Sequence, residues 1–297
     1  MRRLPALILS LGLTAGSALG ATSPPPQSLD AILSSAPASA WRDIPQDRLI
    51  YLRLPKGLVV IEVAPRFAPD HVANLRLLAG ARFFDGLTVA RVQDDYVVQW
   101  GDAEARRPRG GALERLPPEF DHRFTADEPF TALPDLDTYA PQTGFTDGFP
   151  AARDPLSGQA WLTHCYGMVG VGRDNAADSG DASELYAVIG QAPRQLDRNV
   201  ALMGRVIEGI DILSSLPRGH GPLGFYEKAS EHTAILSLAF GDQLPADRQV
   251  HFQALRTDSS TFQALVQNRR YRQDAWYKAP AGRIDVCNVP LPVRVAP

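Results

Sequence analysis

The sequence predicts a mainly β domain, and three observations in its 297 residues carry that reading. Two β-rich runs, Leu49-Ile50-Tyr51-Leu52-Arg53-Leu54 and Leu58-Val59-Val60-Ile61-Glu62-Val63, flank the turn Pro55-Lys56-Gly57 at hairpin spacing. A second pair, Thr88 to Val92 and Val97 to Trp100, is separated by an equally short polar turn. A further strand-like run ends at Ala239-Phe240, ahead of Gly241-Asp242.

The bulk properties fit one large core or a medium core with an appendage, since 44% of the residues are hydrophobic. At the N-terminus, Met1-Arg2-Arg3 precedes an apolar run from Leu4 to Leu13 and the small residues Ala15 to Ala21, the layout of a secretory signal over residues 1–21. The competing reading is a membrane anchor. Pro5, Ser10, Gly12, Thr14 and Ser17 make the run short for a span that needs ~20 apolar residues. No cysteine follows the small residues to carry a lipid, and Arg2-Arg3 alone is a weak twin-arginine signal. The expected location is periplasmic or secreted, with no stable membrane insertion after cleavage.

Loss of Arg2 and Arg3 leaves 28 of the 30 basic residues against 33 acidic ones, a net charge of −5 that argues against a nucleic-acid partner. The two cysteines, Cys165 and Cys287, exclude a cysteine-rich scaffold. In an oxidising compartment they either bridge or stay two separate small buried residues. A bridge would contribute roughly 4 to 5 kcal/mol on the chain-entropy estimate, less any strain.

Along the chain, residues 22–41 are rich in Ser, Pro and Ala and read as a flexible leader. After the first hairpin, Pro69 to Ala79 carries apolar residues at 72, 75, 78 and 79, with proline early and Gly80 as the stop, so it is an amphipathic helix. His71 on it reads as a solvent-facing or satisfied histidine. Residues 103–165 are dense in Pro, Asp, Phe and Gly and form a long loop, either a lid or partner surface or a plain surface insertion. In the segment 245–297, Asp258 or Ser259 caps a helix with Phe262, Leu265, Val266 and Arg269 on one face, and Ile284 to Val289 reads as a short strand. This tail is too small for an independent domain and is expected to pack on the main one.

Several blocks together resemble the cyclophilin-type peptidyl-prolyl isomerases. Phe83-Phe84-Asp85-Gly86-Leu87-Thr88-Val89-Ala90-Arg91-Val92, followed by Val97-Val98-Gln99-Trp100-Gly101-Asp102, is similar to that family's F-Y-D-G-x-x-F-H-R-V and F-M-I-Q-G-G-D hairpin. Gly170 to Asp174, Ser183-Glu184-Leu185-Tyr186, Leu196-Asp197 and Met203-Gly204-Arg205-Val206 resemble its M-A-R/N, S-Q-F-F, L-D and V-F-G-K-V blocks, and Gly241 to Leu244 its G-Q-L. The likeness spans roughly Leu49 to Leu244. It implies a closed eight-stranded antiparallel barrel with two flanking helices over 42–244, interrupted by the 103–165 insertion.

Within the second hairpin, alternation puts Val89 and Arg91 on one face and Thr88, Ala90 and Val92 on the other. A turn centred on Asp94 to Tyr96 sets Arg91 opposite Gln99, close enough for the glutamine oxygen to orient the guanidinium. Alone, these two residues describe an ordinary surface pair; the resemblance makes Arg91 the catalytic donor and Gln99 its orienter. It also implies a proline pocket lined by Tyr96, Val97, Tyr186 and Leu196, with Glu184 among the substrate-binding residues.

The chemistry required of Arg91 follows from the X-Pro bond, whose rotation barrier is ~18 to 20 kcal/mol and whose uncatalysed isomerisation takes tens to hundreds of seconds, on the order of minutes. At the twisted transition state the prolyl nitrogen regains its lone pair, so a guanidinium aimed at it binds that state better than either planar one. One charge-assisted bond of ~1.5 to 3 kcal/mol gives roughly ten- to a hundredfold in rate.

This chain departs from the family pattern at Ala90, Glu184 and Val200, where the family has or favours His, Gln and His. Glu184 is either an ion-pair partner competing for Arg91 or a solvated glutamate. Gln195 replaces a tryptophan that helps bind cyclosporin, which implies reduced sensitivity. No H-E-x-x-H, G-x-S-x-G or phosphate-binding loop occurs, and Asp174, Asp178 and Asp181 lack EF-hand spacing, so neither a metal nor a cofactor is expected. The expected function is isomerisation of proline-containing segments of unfolded exported proteins by a monomer. The alternative is a catalytically weak cyclophilin-like binding or chaperone protein using 103–165 and the tail.

Overall fold

The computed structural model describes residues 27–272 and 276–296. The segment read as a signal, and residues 22–26 of the leader, lie outside them. Among the described residues the main element is a nine-stranded antiparallel sheet. Its order is Thr233–Ala234, Thr88–Val92, Val97–Gly101, Glu184–Val188, Met168–Val171, Leu202–Glu208, Gly57–Val63, Leu49–Leu54 and Ser237–Phe240.

The two edge strands are consecutive in the chain. Between them Ile235 N–H donates to Leu87 O at 2.7 Å and Leu236 N–H to Arg53 O at 2.9 Å. One bent segment thus supplies both edge strands, pairing over two residues with Thr88–Val92 and over four with Leu49–Leu54. The sheet curls as expected, but closure is partial, through two short ladders instead of one continuous strand. Inside the curl, Leu52, Ile61, Val89, Val98, Trp100, Met203 and Phe240 form a fully buried core.

The helix Pro69–Gly80 starts with proline at its first position, as its sequence predicts. Its first amides, Asp70 N–H and His71 N–H, donate to the Glu119 carboxylate at 2.9 and 3.0 Å, and the His71 ring meets the same group at 2.5 Å. Burial pushes Glu119 up, and these hydrogen bonds outweigh it, leaving the carboxyl below its ordinary value. His71 is therefore the satisfied histidine, buried against the anion that caps the helix.

Two further sheets correct the sequence reading. The 103–165 stretch is no simple loop: it builds a five-stranded antiparallel sheet from His122–Arg123, Gln159–Leu162, Phe149–Asp154, Gln142–Thr146 and Thr131–Ala132. Strands of two to six residues broken by Pro and Gly leave too little alternation to read. The leader is also ordered from residue 27. Leu29–Ser34 is helical, Asn268 Nδ2 donates to Gln27 O at 2.6 Å, and Trp41–Asp43 pairs with Phe252–Leu255 of the tail.

The tail helix runs Ser260–Arg270, capped by the Ser259 hydroxyl on Phe262 N–H. Ile284 to Val289 is not a strand: Asp285 accepts from Cys287 N–H and turns Val286–Asn288 into a 3-10 helix, and pairing begins only at Val293–Val295. A second core joins Ile32, Phe145, Phe149, Val188, Leu202, Phe262 and Leu265, so leader, insertion and tail share one apolar interior with the outer face of the curled sheet. Cys165 and Cys287 are bonded within it, across a separation of 122 residues.

Candidate active site

The site begins with a bulge. Thr88 pairs with Gly101 and Val89 with Trp100, but the next partner of Gln99 is Arg91, leaving Ala90 unpaired. Strict alternation fails here, because an extra residue on one strand reverses the parity beyond it. Val89 and Val92 both enter the core, while Arg91 emerges half-buried on the other side. The expectation that Val89 and Arg91 share a face is overturned by this one residue.

Arg91 Nη1 donates to Gln99 Oε1 at 2.9 Å, the predicted brace. Two partners lay outside the sequence reading: Nε donates to Leu223 O at 2.7 Å, and Nη2 to Gln93 Oε1. The rings of Phe225 and Tyr96 lie 5.4 and 5.7 Å from the guanidinium carbon. Burial pulls the Arg91 pKa down, opposed by Tyr96 and Glu184, and the group remains a cation. With three of five N–H groups engaged, one donor on each terminal nitrogen is left for a substrate.

The loop carrying Leu223 reaches Arg91 because of a glycine. Gly224 has φ +79°, and a Cβ there would stand 2.5 Å from Gln93 Cα. Only a bare backbone lets the segment press against the hairpin turn.

A cavity of about 660 Å³ opens beside the guanidinium. Arg91, Gln99, Tyr96, Val97, Tyr186 and Leu196 all line it, so six of the seven predicted site residues converge. Val171 and Val200 complete its apolar wall and Arg173 to Ala176 its rim. Tyr186 is almost wholly buried, which pushes its hydroxyl above the ordinary value, and it meets His164 Nε2 at 2.9 Å.

Glu184 is the exception. It lines a neighbouring cavity of about 620 Å³ that shares Gly172, Arg173 and Asp174 with the first. Among the described residues it makes no ion pair with Arg91; its carboxylate lies beside the Gln99 amide at Gly172 instead, where a Cβ would stand 3.1 Å from Glu184 Oε2 and 3.3 Å from Gln99 Nε2. Burial holds its carboxyl above the ordinary value, aided by Asp174 and Asp102 and opposed by Gln99 and Arg91. Of the two roles left open for Glu184, competition for the guanidinium does not occur, since Arg91 Nη1 is taken by Gln99 Oε1.

A curled antiparallel sheet bearing a braced arginine at the mouth of an apolar pocket defines the class of prolyl isomerase barrels. Residues 49–237 match the family described as cyclophilin type peptidyl-prolyl cis-trans isomerase/CLD, and the chain belongs to that family. Its enzymatic class is therefore peptidyl-prolyl cis-trans isomerase.

Among solved structures, the cyclophilin AquaCyp293 from Hirschia baltica is similar over 91% of this chain and 99% of its own, at 26% identity and a TM-score of 0.71. That coverage extends well beyond residues 49–237. A Cryptosporidium parvum cyclophilin type peptidyl-prolyl cis-trans isomerase, crystallised in the presence of the dipeptide Ala-Pro, aligns over 65% of this chain and 98% of its own, at 11% identity and a TM-score of 0.43. No curated protein matches the chain.

Proposed function

We propose that the chain isomerises X-Pro bonds in unfolded or partly folded exported proteins, with Arg91 donating to the prolyl nitrogen. The observation that carries this reading is the Arg91 to Gln99 contact of 2.9 Å at the edge of the cavity lined by Tyr96, Val97, Tyr186 and Leu196. The cavity takes the prolyl ring, and the guanidinium that lines it offers its two unengaged terminal N–H groups to the substrate. As the C–N bond twists, the prolyl nitrogen becomes pyramidal and accepts from the guanidinium; return to planarity on the other side releases it.

Gln99, Gln93 and the Leu223 carbonyl hold the guanidinium before substrate arrives, so little reorganisation accompanies the twist. Ala90 and Val200 contribute no donor, so in this reading Arg91 alone acts on the prolyl nitrogen. The signal-like N-terminus and the cysteine pair support an exported enzyme.

A purified chain of residues 22–297, which keeps the ordered leader, tests the reading in an X-Pro peptide isomerisation assay. Arg91→Ala is expected to lower kcat/KM roughly ten- to a hundredfold, the loss of one charge-assisted bond. An unchanged rate in that variant refutes the mechanism.

A further inference from the structure

A line of buried polar groups runs behind the pocket and takes no part in the isomerisation step. The Tyr186 hydroxyl meets His164 Nε2 at 2.9 Å, and His164 Nδ1 meets Asp197 Oδ1 at 2.9 Å. The other Asp197 oxygen accepts from Arg194 Nε at 2.6 Å, and Arg194 forks onto Asp137 of the insertion at 2.9 and 3.0 Å. Every member is buried: the His164 side chain is 0% exposed, and those of Arg194, Asp197 and Asp137 are at most 5%.

The carboxylate sets the direction of the whole line. An ionised Asp197 can only accept, so His164 Nδ1 carries the proton it donates, and Nε2 pairs with the Tyr186 hydroxyl. The His164 main-chain N–H adds a second bond to the same oxygen at 2.9 Å. The barrel leaves room for this hydroxyl: a Cβ at Gly170 would stand 2.3 Å from both Tyr186 Cζ and Oη.

Asp197 thereby holds two walls of the pocket. Through His164 it fixes Tyr186, and with Arg194 it clamps the turn Arg194–Leu196 that presents Leu196. We propose that Asp197 and His164 are positioning residues for the isomerase, setting the separation between the Tyr186 and Leu196 walls, and that Arg194 and Asp137 tie this separation to the 103–165 insertion. The inference rests on reading the cavity as the prolyl site.

Breaking the line at one point strands a buried donor or acceptor, and the walls relax to find it a partner. Arg91 lies on a separate hairpin, so the effect falls on how well the prolyl ring is held and appears in KM. The experiment uses the full mature chain and its variants Tyr186→Phe, His164→Gln and Asp197→Asn. KM and kcat are measured in a protease-free isomerisation assay, and the dissociation constant of an Ala-Pro-containing peptide by NMR titration.

Each variant is expected to raise KM and the dissociation constant by about fivefold, the equivalent of one hydrogen bond, with most of the kcat/KM loss falling on KM. Joint replacement, Tyr186→Phe with His164→Leu, removes both partners and should recover peptide affinity relative to His164→Leu alone. Tyr186→Phe keeps the ring, so it decides the question if Asp197→Asn does not fold. Unchanged KM and affinity in Tyr186→Phe, with the wild type active, overturn the inference. A wild type that neither binds nor turns over the peptide overturns the prolyl-site reading itself.

Discussion

The Gln99 amide nitrogen and the Glu184 carboxylate are neighbours, and that proximity sets which way the Gln99 amide faces. An ionised carboxylate only accepts, so the Gln99 NH2 turns to Glu184 and its oxygen to Arg91. Both groups crowd the bare Gly172, where a Cβ would lie 3.1 Å from Glu184 Oε2 and 3.3 Å from Gln99 Nε2. Glu184 thus orders the brace of Arg91 instead of competing for it.

Protonation should undo that ordering. A neutral Glu184 can donate to the Gln99 oxygen and compete with Arg91 for it, so kcat/KM of the wild type is expected to fall as pH drops through a value above the ordinary carboxylate range. Glu184→Gln, which does not titrate, should show no such limb. Glu184→Ala, which removes the carboxylate beside the Gln99 NH2, is expected to lose about fivefold in kcat/KM. A flat wild-type profile between pH 7 and pH 5 in the peptide assay contradicts the role.

Stability carries the opposite sign. With its folded pKa raised, Glu184 binds a proton more readily in the folded chain than in the unfolded one, so its unfavourable contribution is present above the folded pKa and fades as pH falls toward the unfolded value of ~4.3. Glu184→Gln should therefore raise Tm by about 2 °C near pH 7, with the gain shrinking toward pH 4. Calorimetry at the two pH values tests it, and a gain that grows on acidification is the contrary result.

Gly224 offers a way to loosen Arg91 without touching it. Ala at this position carries a left-handed φ and a Cβ 2.5 Å from Gln93 Cα, so the 221–225 segment must withdraw. Leu223 O then leaves Arg91 Nε. Gly224→Ala is expected to lower kcat about fivefold at a stability loss of about 1 kcal/mol. Full activity despite the stability loss would show that the Leu223 carbonyl is irrelevant to the arginine.

What the sequence made legible was local. Arg91 opposite Gln99 follows from hairpin length, and the helices at Pro69 and Ser260 follow from a proline or serine placed ahead of an apolar stripe. The bulge at Ala90 has no residue signature, since the usual glycine is absent. Leu223 reaches Arg91 from 132 positions away through its carbonyl, which every residue possesses. Tyr186 announced a hydroxyl in need of a partner, but His164 becomes that partner only when Met168–Val171 and Glu184–Val188 pair. The insertion hid its sheet because its strands are short and bury Ala, Gly and Thr as often as larger apolar groups.

The bond between Cys165 and Cys287 fastens the tail to the residue next to His164, so the disulfide should stabilise the fold and, with it, the pocket. Alkylation of the unfolded chain without reductant should add no mass, and with reductant two equivalents. Closing a loop across 122 residues predicts a loss of about 2 to 5 kcal/mol on reduction, whichever share is entropic. Cys287→Ala separates this from thiol chemistry: it keeps the strand Val293–Val295 available to pair with Phe252–Leu255, so the tail still docks, but with less restraint. Denaturant midpoints for oxidised, reduced and Cys287→Ala chains should fall together for the last two and lie below the first. Equal midpoints for all three would mean that the shared apolar core, with Phe262 and Leu265 against Val188 and Leu202, holds the tail without the bridge.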